Sequence, residues 1–166
     1  FEGVATIVLK LFQLLPATDA FFGQKDYQQF RVIQSMVDDL NVPTRVVACP
    51  IVREPDGLAM SSRNRYLGDE ERTRALRLAF ALDEAKQQLV DGQCDAEVLR
   101  ATLRDCLQPA SGPRVDSIDY ADVADAVTLN PLTIIDGPTV CLIACHVGST
   151  RLIDNLVWNP PHHEVP

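Results

Sequence analysis

Apolar positions in the first fifty residues follow two rhythms. Val4, Ile7, Val8, Leu11, Leu14 and Leu15 recur at helical spacing until Pro16 stops the segment. A short apolar run, Ala20-Phe21-Phe22, halts at Gly23 and reads as a strand. Phe30, Ile33, Val37 and Leu40 then mark one face of a helix, with Asp26 as its N-cap. Thr44–Cys49, rich in Val and bounded by Pro43 and Pro50, reads as a second strand. Strands separated by a helix imply a parallel βαβ unit, whose ligand crevice lies beyond the carboxyl ends of the strands. Gly23 and Pro50 mark two such ends, so a site is expected there before any motif is considered.

The pattern then changes. Residues 53–66 form a polar loop containing Pro55, Asp56 and Gly57. Asp69 is expected to cap a helix running to about Val90, with Gly92 terminating it. Asp95 caps a third, turning Leu99, Leu103, Cys106 and Leu107 inward, before Pro109–Pro113 breaks the chain. Val115–Val123, Thr139–Val147 and Arg151–Trp158 read as strands, the last two joined by a hairpin at Gly148-Ser149. The fold class expected is α/β for the first part, followed by a small α+β domain with a three-stranded antiparallel sheet. The boundary falls near Leu67–Asp69, giving domains 1–67 and 68–166. No internal repeat or low-complexity segment interrupts them.

Composition narrows the function classes. Apolar residues make up 46% of the 166, which is globular, and no run of about 18 apolar residues suggests a membrane span. No basic-then-apolar leader marks export. The start at Phe1, already within a helical pattern and without Met, leads the sequence reading to expect a truncated chain. The net charge is −8, but residues 1–78 hold ten Lys/Arg against ten Asp/Glu. Residues 79–166 hold five against thirteen and carry the whole imbalance. Nucleic-acid binding is therefore not expected, since it needs clustered cations. A polyphosphate ligand fits the first half best.

Five cysteines, Cys49, Cys94, Cys106, Cys141 and Cys145, form no CxxC pair. They read as reduced thiols of a cytosolic protein, and no metal site is expected from them. His146 lies in an apolar strand and is expected to be a satisfied core residue. His162 and His163 follow Pro160-Pro161 in a tail expected to be exposed.

Two segments carry candidate chemistry. The first, Phe22-Gly23-Gln24-Lys25-Asp26-Tyr27-Gln28-Gln29, runs from a strand end into a helix N-terminus. Free N–H groups and the helix dipole favour anions there, Lys25 adds a charge, and Gly23 permits close approach. Asp26 and Gln29 also have capping-box spacing and could merely close the helix. The residues alone leave both readings open. The second segment runs Val52-Arg53-Glu54-Pro55-Asp56-Gly57-Leu58-Ala59-Met60-Ser61-Ser62-Arg63-Asn64-Arg65. Ser61-Ser62-Arg63 sets two hydroxyls beside a guanidinium, suited to phosphate oxygens. A solvated loop whose serines make turns is the plainer alternative.

In this order and spacing, the two segments closely resemble the pantoate–β-alanine ligase (pantothenate synthetase) family. Met60-Ser61-Ser62-Arg63-Asn64-Arg65 resembles that family's form of the KMSKS loop, and Phe21–Gln29 its second signature. Phe1-Glu2-Gly3-Val4 resembles the start of a mid-enzyme helix, and the likeness continues through Thr150-Arg151-Leu152-Ile153-Asp154-Asn155. The resemblance implies the second part of a Rossmann-like nucleotidylyl-transferase sheet. It also implies an AMP-forming ligase: ATP and pantoate give pantoyl adenylate and pyrophosphate, then β-alanine displaces AMP to form pantothenate, in coenzyme A biosynthesis.

By resemblance, Gly23, Gln24, Lys25, Asp26, Val52, Met60, Ser61, Ser62 and Arg63 contact ATP, and Gln29 holds pantoate. Lys25, Ser61, Ser62 and Arg63 act in catalysis, the loop closing over the phosphates. Mg²⁺ accompanies ATP, held largely by its phosphates; no protein metal site, membrane or nucleic acid is implied. A cytoplasmic homodimer is. Two departures matter: Gln24 stands where the family commonly has glutamate, and the family's HxGH segment does not occur in this sequence. The reading therefore expects a carboxyl-terminal portion, catalytically incomplete by itself. A different adenylate- or cytidylate-forming enzyme and a non-catalytic module with a vestigial loop are the other readings. Retention of Lys25, Ser61, Ser62 and Arg63 speaks against the last.

Overall fold

Pro16 ends the first helix where its fixed φ requires, and α1 spans Glu2–Leu14. The computed structural model describes residues 1–160, so His162 and His163 lie outside the described residues. Two compact units divide the chain, residues 1–52 and residues 53 onward.

In the first unit β1 (Asp19–Gly23) and β2 (Arg45–Cys49) pair in parallel, with Gly23 opposite Cys49 at the carboxyl end. The crossover helix α2 (Tyr27–Asp39) buries Phe30, Ile33 and Val37 as its periodicity predicts, and also Tyr27. Leu40 does not join them. Its backbone has left the helix (φ −96°, ψ 4°), and its side chain is 56% exposed. α1 is helical, yet Ile7, Leu11, Leu14 and Leu15 are all exposed and none of its residues is buried. Phe12 on α1 meets Phe22 on β1 edge to face, with centroids 6.4 Å apart.

The second unit builds three helices on an antiparallel sheet. The helices are α3 (Asp69–Ala75), α4 (Arg77–Val90) and α5 (Ala96–Leu107). The strands β3 (Ser117–Asp125), β4 (Thr139–Val147) and β5 (Thr150–Trp158) lie in that spatial order. The pattern between residues 69 and 90 reads as one helix, but Leu76 (ψ −16°) tightens the turn and divides it. The helix start also differs from expectation. Gly68, not Asp69, is the cap position, and its N–H donates to the Glu71 carboxylate at 3.0 Å. Asp95 caps α5 as expected, its Oδ1 accepting from the N–H groups of Glu97 (2.8 Å) and Val98 (3.4 Å). Gly92 takes φ +89° just past α4, a conformation that favours glycine.

The core lies between these helices and one face of the sheet. Leu78 and Leu82 of α4 and Leu99, Leu103 and Leu107 of α5 meet Val123, Cys141, Ile143, Cys145 and Val147. Each such leucine contributes about 1.5–3 kcal/mol by leaving water. Burial pushes the Cys141 and Cys145 thiols up to about 12, so both stay protonated. His146 is not a core residue. A bulge between Ile118 and Tyr120 turns Asp119 toward it, leaving the half-exposed imidazole 3.4 Å from Asp119 and Arg151 donating to the same carboxylate at 2.6 Å. No helix among the described residues is long and apolar enough to cross a membrane.

Candidate functional site

In the first unit, β1 delivers Gly23 to a 3₁₀ turn, Gln24–Asp26, that leads straight into α2. Gly23 has ordinary extended angles (φ −68°, ψ 129°), so its backbone alone does not demand glycine. A Cβ placed there would meet nothing within 4 Å, which leaves the peptide face open to approach from outside. Asp26 makes no side-chain cap bond, so the proposed capping box with Gln29 is not formed. The reason is local: φ −92° and ψ 59° at Asp26 set it off ordinary cap geometry. Its exposed carboxylate stands at the positive end of α2 with no backbone N–H to close. Lys25 and Gln24 are half-buried, and both are engaged within the chain. Gln29 is half-buried one turn further on, and Val52 is 62% exposed.

In the second unit, residues 53–66 fold into a braced loop. Arg53 pairs with Ala59 in an antiparallel bridge, and the Glu54 N–H donates to the Leu58 carbonyl at 2.8 Å. Gly57 turns the chain at φ +94°. Arg53 reaches Asp154 on β5 through two nitrogens, at 2.7 and 3.2 Å, and the Gly57 carbonyl at 3.0 Å. Asp154 is 2% exposed, and a buried carboxylate is tolerable only with such a paired, bidentate partner. Arg72 on α3 donates to Glu54 at 2.5 Å and to Asp56 at 2.7 Å. The Asn64 amide and the Arg72 guanidinium hold the Glu54 carboxyl below the usual carboxylate range. Asp56 is lowered by Arg72 and by the Leu58 N–H, and Arg72 itself is pushed up by both carboxylates.

Leu58, Ala59 and Asn64 are buried, while Met60, Ser62 and Arg63 between them are exposed and Ser61 is half-buried. The segment is thus a four-residue arch standing on buried feet. Ser61 caps a 3₁₀ helix, Ser62–Tyr66, by accepting from the Arg63 N–H at 3.2 Å, so its hydroxyl proton can still be donated. Arg63 has no ion-pair partner among the described residues. Arg65 is different: it lies over the Tyr66 ring and donates to its hydroxyl at 2.7 Å.

Gly23, Gln24, Lys25, Asp26 and Gln29 come together at one strand end, and Met60–Arg63 along one arch. Glu54, Asn64 and Arg72 join the loop without any local signal in the sequence. Glu54 and Asp56 lie sixteen or more positions before Arg72, and charge alternation over that span carries no periodic signal. Among the described residues, no group of three or more His, Cys, Asp or Glu could hold a metal. A groove of about 550 Å³ in the second unit, lined by Leu89, Cys94, Ile135 and Trp158, contains none of the predicted site residues.

The profile of the pantoate-beta-alanine ligase family matches residues 1–157. The pantothenate synthetase of Rhodopirellula baltica is 52% identical over 155 residues, covering 93% of this chain and 53% of that protein. That of Sulfurihydrogenibium sp. is 47% identical over 156 residues, covering 94% and 55%. The crystal structure of pantothenate synthetase from Thermus thermophilus matches with a TM-score of 0.86 at 39% identity, covering 94% of this chain and 55% of that one. The chain spans about half the length of the curated relatives it matches.

Proposed function

Because this chain belongs to the pantoate–β-alanine ligase family, we propose that it supplies the ATP-side walls of an active site joining pantoate to β-alanine. In the first step a pantoate carboxylate oxygen attacks the α-phosphorus of ATP and pyrophosphate leaves. In the second, the β-alanine amine attacks the acyl carbon, AMP departs, and the amide loses its extra proton. Charge grows on the α-phosphate and on pyrophosphate, so catalysis rests on placing the reactants and on donors around those oxygens. Lys25, Ser61, Ser62 and Arg63 are those donors. Gly23, Gln24, Asp26, Val52 and Met60 line the nucleotide, and Gln29 hydrogen-bonds pantoate. The functional nucleotide-binding part is residues 1–67, followed by the α+β part.

The observation that carries this reading is the Met60–Arg63 arch. It holds two serine hydroxyls and a guanidinium, the last without an ion-pair partner among the described residues, above buried feet. Those hydroxyl and guanidinium donors suit phosphate oxygens by charge and by hydrogen-bond geometry. The open face at Gly23 and the uncapped start of α2 support the second wall. Mg²⁺ enters as part of the substrate, on the ATP phosphates, and no step here is routed through it. The functional enzyme is a cytoplasmic homodimer in this reading.

The test is pyrophosphate–ATP exchange by the protein expressed from its full reading frame. Exchange that needs pantoate, and that other hydroxy acids do not support, is the expected result. Exchange with other acids in place of pantoate would move the assignment to another adenylate-forming enzyme. The 166 residues by themselves should exchange far more slowly, since they contain no HxGH segment.

A further inference from the structure

The braced loop of the second unit contains a closed circuit of hydrogen bonds. Starting at the first foot of the arch, the Ala59 carbonyl accepts from the Asn64 amide at 3.0 Å, across the base. The other proton of that amide goes to one oxygen of Glu54, at 2.5 Å. The second Glu54 oxygen takes Arg72, at 2.5 Å, and the Arg72 Nε donates to Asp56, at 2.7 Å. Asp56 then accepts from the Leu58 N–H, at 3.3 Å. The circuit therefore returns to the backbone one residue from where it began, and it encloses both feet. Asn64 is 6% exposed, and both groups facing its nitrogen are acceptors, which fixes the amide orientation.

We propose that Asn64, backed by Glu54 and Arg72, is a positioning residue that sets the height and direction of the Met60–Arg63 arch. The inference rests on the reading of that arch as the phosphate-facing wall. None of the three side chains needs to touch ATP. Their effect reaches the reaction through where Ser61, Ser62 and Arg63 point, and misplacement by about 1 Å can cost on the order of 100-fold in rate. Removing the amide opens the base of the arch. Replacing it with a carboxylate sets two acceptors against each other, with Arg72 as the cation facing the pair and Asp56 sharing that cation. Arg53, held by Asp154, faces the turn at Gly57 rather than the pair.

The experiment measures pantoate-dependent exchange across pH in the protein from its full reading frame, with Asn64→Ala, Asn64→Asp and Arg72→Lys. Asn64→Ala is expected to lower kcat at least about tenfold at every pH, with KM for pantoate unchanged. Asn64→Asp should match that loss at pH 8 but regain rate relative to wild type toward about pH 5.5. Two carboxylates sharing a site retain a proton there, which restores the bond to Glu54. Arg72→Lys should fall between, since a point charge replaces a fork reaching two carboxylates. If a variant fails to fold, Glu54→Gln keeps the shape and removes the charge, and it should show the same kcat loss. Wild-type rates in Asn64→Ala, or an Asn64→Asp profile parallel to that of Asn64→Ala, would overturn the positioning role of Asn64 while leaving the function intact. A wild-type protein with no pantoate-dependent exchange would remove the functional reading and the positioning role with it.

Discussion

Asp26 stands at the head of α2 with a carboxylate that caps nothing, and Lys25 precedes it on the same turn. The idle carboxylate was not accessible from spacing, because a capping box and a ligand-binding turn put the same residue types at the same positions. Backbone angles at Asp26 exclude the capping box, and spacing does not encode them. At this scale Lys25→Ala should slow pantoate-dependent exchange about 100-fold in a protein that still folds at the assay temperature, as removal of one preorganised donor does. Steady-state rates and a thermal melt on the same sample check it, and a rate within twofold of wild type would take Lys25 out of the chemistry. The cysteines separate in the same residue-by-residue way. Cys94 is exposed, whereas Cys141 and Cys145 are buried with thiols pushed up to about 12. At pH 8 a thiol reagent should label Cys94 within minutes and Cys141 and Cys145 only on unfolding. Mass mapping of labelled peptides reads this out.

Elements were legible where one rhythm ran unbroken. The β4 strand has the bounds its apolar run predicts, and α5 has its predicted cap and core leucines. Failures came where tertiary contacts redirect a local signal. Leu40 follows the α2 period but lies past the point where the backbone unwinds. His146 has apolar neighbours in sequence, yet the bulge at Asp119 gives it a polar, half-exposed setting. The three-residue link between α3 and the β4–β5 turn shows the same limit. Arg74 donates to Asp116, whose other oxygen accepts from the Gly148 N–H, both at 2.6 Å. Gly148 sits at φ +57°, and a Cβ there would collide with a Glu71 carboxylate oxygen. Gly148→Ala should therefore destabilise the unit by about 1–3 kcal/mol, from backbone strain plus displacement of Glu71 from Gly68. Denaturant unfolding against wild type measures it, and an unchanged midpoint would contradict the packing described.

At the scale of the whole chain, charge couples the loop to stability. Asp116 is held low first by the Gly148 N–H and then by Arg74, while Glu54 and Asp56 are held low by the Asn64–Arg72 network. Folded values below the unfolded ones mean stabilisation that is complete above the unfolded value, about 4, and lost as pH falls through the folded one. The melting temperature should thus fall as pH drops below about 4, and Glu54→Gln should weaken that fall. The fold class and the two signature segments could be read from the sequence because each is local or follows a period. The brace joining Glu54, Asn64, Arg72 and Asp56 could not, since it depends on α3 coming to rest beside the loop. The claim on which the rest depends is that Met60–Arg63 faces the phosphates of ATP. It is tested most directly by pantoate-dependent pyrophosphate exchange in Arg63→Ala, made in the protein from its full reading frame. Exchange should fall about 100-fold or more with folding intact, and a rate within twofold of wild type would place Arg63 away from the phosphates.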